Sequence, residues 1–336
     1  MMNIAILEAG HWHVPLYLDA LARSGGQVAG VSDREGKRGP AIAARFGCRF
    51  YESWRQLLER ETIDFAFAFG RHVDMPSIAS ALIARRIPFA IEKPCGTCAA
   101  DVATLRRMAE EAGLYVAIPF IMRVGDLVRR IAGAEGGLPA RFHHAALRFN
   151  AGPASRYIDF DCPWMLDPKL SGGGCTINLA THFVDLLRLL TGSEVVSVAA
   201  QMTSRVQGTP VEEHSLLLLK TADGTTATVE TGYTFPAGAP EKREFSFTLS
   251  SGRNYYRSHP AGLVVVERSG GATREVAAEL DTDPCYALFV ERALADFEAG
   301  RPPVAGLRDA EAMMRVLDAA YESVRSGGRL VEVAPA

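Results

Sequence analysis

Lys93 follows a short apolar run, Ile87-Pro88-Phe89-Ala90-Ile91, and an acid, Glu92; Pro94 comes next. The run has the length and composition of a buried strand, and helical spacing resumes at Ala99. In an α/β chain a lysine at the C-terminal end of a strand lies where such folds bind ligands, in the crevice outside the strand ends. There an ammonium group can polarise a carbonyl or deliver a proton, with its pKa set by burial and neighbours. A second set of reactive groups is Asn178 and His182, four residues apart in a helical pattern and so on one helix face, with Asp185 three further on. Ser171-Gly172-Gly173-Gly174 precedes them and permits close backbone approach. A histidine so placed can act as a general base. The same residues also suit a capping asparagine and a satisfied core histidine.

The first apolar run, Asn3 to Leu7, leads into Glu8-Ala9-Gly10-His11-Trp12-His13. A dinucleotide-binding turn needs glycine at three places: the tight turn, the pyrophosphate approach and the helix–strand contact. Only the middle one, Gly10, is present; Glu8 and His13 hold the other two. The position still suits an anion, because backbone amides at a helix N-terminus are unsatisfied. Asp33 closes the second strand about 20 residues past Gly10, the spacing of an acid that grips ribose hydroxyls. It equally suits a turn before Arg34-Glu35-Gly36. An acid there favours NAD and repels the 2′-phosphate of NADP, while Arg34 and Arg38 keep NADP possible. His11 and His13 have the spacing of a metal pair with no third ligand nearby, so no metal is expected. Cys95-Gly96-Thr97-Cys98 ahead of a helix permits thiol–disulfide chemistry, a competing reading.

The elements that must position these groups follow from the hydrophobic pattern. Over the first ~120 residues apolar runs alternate with helical spacing, as in Val28 to Ser32, Phe65 to Phe69 and Tyr115 to Ile118. That alternation means βαβ units and a doubly wound parallel sheet. Helices are expected over Trp12–Arg23, around Pro40–Phe46, from the capping box Ser53-Trp54-Arg55-Gln56, over Pro76–Arg86 and over Ala99–Glu111. Beyond residue 122 a helix over Asn178–Leu190 is followed by strands in series: Val195–Met202, His214–Thr221, Thr225–Tyr233, Phe245–Leu249 and Leu263–Glu267. Ala222-Asp223-Gly224 is a hairpin signal among them. Two helices, Pro284–Glu298 and Asp309–Val324, close the chain. The expected architecture is α/β in residues 1–121 and an α+β domain with an open, largely antiparallel sheet in 122–336.

Composition bounds the function. The chain has 336 residues, too many for one ordinary core, with 48% hydrophobic and 22% charged residues. A net charge of −3 argues against nucleic acid or other polyanions as partners. No apolar run reaches the ~18 residues of a membrane span. The N-terminus reads as a strand rather than a signal peptide, and six cysteines are too sparse for a disulfide scaffold; together these favour the cytoplasm. Strands such as Ser215 to Leu219 carry apolar residues on both faces, which favours a homo-oligomer, dimer or tetramer.

Three stretches together resemble the Gfo/Idh/MocA oxidoreductases: Glu92-Lys93-Pro94 after a strand, the glycine run before the Asn178–His182 helix, and the ending Ala320-Tyr321-Glu322-Ser323-Val324-Arg325-Ser326-Gly327-Gly328. The resemblance runs over essentially the whole chain. It implies an N-terminal Rossmann domain, a C-terminal α+β domain whose open sheet face makes oligomer contacts, and hydride transfer between NAD(P) and a sugar, cyclitol or related polyhydroxylated compound. It places the catalytic lysine on Lys93, the helix histidine on His182 and the acid four before it on Asn178, which cannot titrate. It places the ribose acid on Asp33, the loop after the fourth strand on Gly70-Arg71, and substrate contacts on Arg123 and Trp164. The cofactor set is then Gly10, His11, Trp12, Asp33, Arg34, Phe69, Gly70, Arg71, Glu92 and Lys93. Lys93, Arg123, Trp164, Asn178 and His182 face substrate. The alternative from another class is a nucleotide-sensing or scaffold member of the same fold that has lost catalysis.

Overall fold

The computed structural model describes residues 1–335, which divide into two compact units. The first comprises Met1–Pro119, Tyr157–Gly172 and Asp283–Glu311; the second comprises Phe120–Arg156, Gly173–Thr282 and the segment from Ala312 onward. The contiguous division expected from the sequence, 1–121 and 122–336 (residue 336 lying outside the described residues), therefore needs a correction. Two later segments return to the first unit. They do so because packing, not chain order, decides membership: the helix Pro284–Glu298 buries Phe289, Val290 and Ala293 and packs on the helix Pro15–Arg23.

In the first unit six strands form a parallel sheet: β1 (Asn3–Leu7), β2 (Gln27–Ser32), β3 (Arg49–Tyr51), β4 (Phe65–Ala68), β5 (Phe89–Ile91) and β6 (Val116–Ala117). Their order is β3-β2-β1-β4-β5-β6. The chain reverses its winding between β1 and β4, and the turns after these strands, at Glu8 and Phe69, open the crevice where such sheets hold ligands. Central strands buried on both faces explain the unbroken apolar runs: every residue of Phe65-Ala66-Phe67-Ala68 is buried. The three-residue strand β3 was not anticipated, since Arg49-Phe50-Tyr51 is too short to show a period. Ser53 caps the next helix, accepting from the Arg55 amide.

The second unit is built on a nine-stranded sheet: β7 (Phe142–Ala151), β8 (Val195–Thr203), β9 (His214–Thr221), β10 (Thr226–Gly232), β11 (Arg243–Ser251), β12 (Asn254–His259), β13 (Gly262–Glu267), β14 (Thr273–Ala277) and β15 (Val331–Glu332). Their order is β14-β13-β12-β11-β7-β10-β9-β8-β15. Only β7 and β10 pair in parallel; every other neighbouring pair is antiparallel. The β9–β10 hairpin turns through Ala222-Asp223-Gly224, with Gly224 at φ +92°. In β9 Ser215, Leu217, Leu219 and Thr221 are buried, while Leu216 and Leu218 are 45% and 52% exposed. A helix over Asp126–Glu135, and the strands β12 and β14, whose residues such as Asn254-Tyr255-Tyr256-Arg257-Ser258-His259 are too polar to stand out as apolar runs, were not anticipated from the sequence. Among the described residues no helix is long and apolar enough to cross a membrane.

Candidate active site

In the first unit the turn after β1 carries the chemistry. Glu8 adopts φ +58°, the left-handed conformation that glycine takes without cost, so the turn keeps its shape although its first glycine is gone. Gly10 is required by contact: a Cβ there would lie 2.7 Å from Asp33 Oδ1. Asp33 is 1% exposed and holds the loop after β2. Its Oδ1 accepts from the Glu35 amide at 3.1 Å, and its Oδ2 from the Arg38 and Gly39 amides at 3.0 and 2.9 Å. Arg34 donates to Glu8 Oε2 at 2.6 Å and to Asp74 Oδ2 at 2.9 Å; Arg71 donates to the same Asp74 oxygen at 2.6 Å. Burial raises the Glu8 carboxyl above its ordinary range against the opposing pull of Arg34.

These residues line a cavity of about 370 Å³. Of the residues expected at a cofactor, Gly10, His11, Asp33, Arg34, Gly70 and Arg71 meet there. Trp164, expected against substrate, lines the same cavity, its ring 5.8 Å from that of His11 and 5.1 Å from that of His72. Its segment, Tyr157–Gly172, is tied down by four contacts: Lys37 with Asp161 at 2.7 Å, Arg38 with the Phe160 carbonyl, Cys162 Sγ with the Gly10 carbonyl, and His72 Nδ1 with the Ser171 carbonyl at 2.6 Å. Burial lowers the pKa of His72 to about 4, so the ring is neutral and Nδ1–H donates. The sequence pattern missed the parts of Glu8 and Asp161 here; a glutamate at a glycine position was the one available signal.

Glu92 and Lys93 follow β5 directly, both fully buried. Glu92 accepts from the Tyr17 hydroxyl at 2.5 Å and from the Lys93 amide at 3.0 Å, and its Oε1 lies 3.1 Å from His13 Nδ1. His13 Nε2 is 2.9 Å from the Tyr286 hydroxyl. The imidazole in place of the third glycine is thus packed between polar partners, and the helix starts after it, at Pro15. Desolvation brings the pKa of Lys93 down to about 8, with Glu92 opposing the shift. Burial likewise lowers the pKa of His11, well below its ordinary value. Phe69 is buried against His11, their rings 5.9 Å apart, and Trp12 stacks parallel to Phe160. The Cys95 thiol is buried and pushed up to about 12, opposite to the depressed value an attacking thiol needs, which counts against the thiol-exchange reading.

In the second unit the glycine run feeds a π-turn, Thr176–Ala180, that passes into an α-helix over Thr181–Thr191. The sequence had suggested one continuous α-helix. The i→i+5 turn, a feature frequent at functional sites, contains Asn178, while His182 lies in the first turn of the α-helix that follows. A Cβ on Gly174 would fall 2.1 Å from the Glu212 carbonyl, so this glycine is fixed by a backbone approach. Asn178 is buried, and its Nδ2 donates to the Tyr233 hydroxyl at 2.9 Å. His182 is half-buried. Arg123, expected at substrate, forms a two-pronged pair with buried Asp185 at 2.9 and 2.6 Å.

The first unit fits a bound dinucleotide. Gly10 leaves a cradle that a side chain would fill, and the buried Glu8 Oε1 on the cavity wall has no hydrogen-bond partner among the described residues. A doubly wound parallel sheet with that cradle after β1 and a buried lysine after β5 defines a nicotinamide-dependent oxidoreductase. The chain belongs to the GFO/IDH/MocA oxidoreductase family: residues 3–120 match its NAD-binding Rossmann fold and residues 135–253 its C-terminal domain. It is similar to a D-xylose 1-dehydrogenase (NADP(+)) 2 from Haloferax volcanii, 25% identical over 335 residues that cover 97% of this chain and 98% of that one. It is also similar to a dTDP-3,4-didehydro-2,6-dideoxy-alpha-D-glucose 3-reductase from Streptomyces violaceoruber, 27% identical with 90% and 88% covered. In fold it is similar to an oxidoreductase from Agrobacterium radiobacter solved with NAD+, L-tartaric acid and magnesium, with a TM-score of 0.86, 17% identity, and 99% and 98% of the two chains covered.

Proposed function

We propose that the protein oxidises a hydroxyl, or reduces the corresponding carbonyl, on a sugar, cyclitol or related polyhydroxylated small molecule, with NAD preferred over NADP. The observation that carries this reading is Lys93: a fully buried lysine at the end of β5 whose ammonium is brought to about 8 by desolvation. Such a group can hold a reacting oxygen and also give up a proton near neutral pH. The bound nicotinamide supplies the hydride chemistry. Lys93 holds the reacting oxygen, His182 exchanges its proton, and Asn178 positions His182 or substrate from its hydrogen bond to Tyr233. Arg123 acts through Asp185, as a positioning residue. Sugar substrates in the names of the Haloferax and Streptomyces relatives support the substrate class.

The free thiols of Cys48, Cys95, Cys162 and Cys175 support a reducing cytoplasm. Exposed Leu216 and Leu218 on β9 support a homo-oligomer through that sheet. The test is turnover of NAD and NADP, followed at the nicotinamide absorbance, over a panel of aldoses, cyclitols and sugar acids. Turnover with at least one of them is expected. A protein that binds NADH and turns over nothing in either direction would instead be a sensing member of the family.

A further inference from the structure

Glu8 stands where a dinucleotide-binding turn places its first glycine. Its backbone is in the left-handed region, which a glutamate occupies only when the surroundings impose it. Residues held in that way concentrate at functional sites. Its carboxylate does two things at once. Oε2 takes the Arg34 guanidinium at 2.6 Å, and Asp74 holds the other arm of that guanidinium at 2.9 Å. Oε1 is buried on the wall of the cavity with no partner among the described residues. A buried carboxylate oxygen left so is costly unless a donor reaches it when the cavity fills.

Asp33, by contrast, already accepts three backbone amides and is 1% exposed. Its carboxylate shapes the loop. Arg34 is the cation that would greet a 2′-phosphate, and Glu8 and Asp74 hold and neutralise it. The remaining lining leans the same way, with Glu35, Asp161 and Asp167 against Lys37 and Arg71.

We propose that Glu8, rather than Asp33, is the specificity-determining residue of the dinucleotide cavity: Oε1 accepts from a ribose hydroxyl, Oε2 keeps Arg34 from a 2′-phosphate, and the pocket thereby selects NAD. This rests on the cofactor preference proposed above and names the residue that sets it. Glycine is the natural replacement, because it relieves the backbone and restores the usual turn.

The test is titration of NADH and NADPH by nicotinamide fluorescence, without substrate, on the wild type, Glu8→Gly, Glu8→Gln and Asp33→Asn. The wild type is expected to bind NADH more tightly. In Glu8→Gly, NADH weakens and NADPH tightens, so that their ratio moves on the order of tenfold or more, the worth of one charge-assisted contact. Glu8→Gln moves it the same way by less, which secures the result should the glycine variant fold poorly. Asp33→Asn weakens both cofactors alike and lowers the melting temperature. An unchanged ratio in both Glu8 variants, or an Asp33→Asn shift as large as theirs, would overturn the assignment while leaving the oxidoreductase reading intact. A wild type that prefers NADPH, or binds neither cofactor, would overturn it together with the proposed cofactor preference.

Discussion

Lys93 owes its lowered pKa to its burial just past the end of β5. Burial alone would drive its proton off, and Glu92, held by Tyr17 beside His13, retains part of the charge. A lysine at about 8 is mostly ammonium at pH 7 and mostly amine at pH 9. In the proposed mechanism the ammonium form serves carbonyl reduction and the amine form alcohol oxidation. Reduction is therefore expected to fall, and oxidation to rise, as pH passes through about 8. Lys93→Met should cut turnover by roughly 10²–10⁴-fold and erase that limb, while NADH still binds. A Lys93→Met enzyme that keeps the limb would show that another group titrates there. The burial of Lys93 just past a strand was legible from the sequence because an apolar run, an acid, a lysine and a proline are contiguous there. The work of Glu8 was not: its partners Arg34 and Asp74 are distant in sequence and meet it only when β1, β2 and β4 pair.

Elements show the same contrast. Period and turn chemistry located the parallel strands other than β3, the β9–β10 hairpin and the long helices, since each is set by neighbours within a few residues. The π-turn at Thr176–Ala180 was not legible: the glycine run before it packs on the Glu212 backbone, a partner distant in sequence. The segment Tyr157–Gly172 is the clearest case. Trp164 reads in sequence as a substrate contact, yet its segment is anchored beside Gly10 and His72 in the nucleotide-binding unit. Trp164→Ala is accordingly expected to raise the dissociation constant of NADH by up to about tenfold, the value of one good aromatic contact. The KM for substrate at saturating cofactor should change much less. The reverse pattern, an unchanged NADH affinity with a raised substrate KM, would return Trp164 to the substrate.

At the scale of the whole molecule the sequence reveals two architectures but not how the chain shares itself between them. Helix Pro284–Glu298 gives no local sign that its Phe289 and Val290 complete the core of the first unit. Surface chemistry is easier to read, because alternation along a strand separates its faces. In β9 the inward residues Leu217 and Leu219 are sealed, and the outward Leu216 and Leu218 are half exposed, with Val196 of β8 37% exposed. Leucines in an outward row on a sheet face are costly in water, at about 25 cal/mol per Å² of apolar surface. A second copy of the chain is the simplest cover, since a closed symmetric pair buries the same patch twice. Light scattering at micromolar concentration is therefore expected to give a dimer or tetramer of the 36.3 kDa chain. The double variant Leu216→Glu, Leu218→Glu should shift it to monomer without unfolding, because both side chains point away from the core. A wild type that scatters as 36.3 kDa would show that the leucine row is tolerated in solvent, and a double variant that stays oligomeric would move the interface elsewhere.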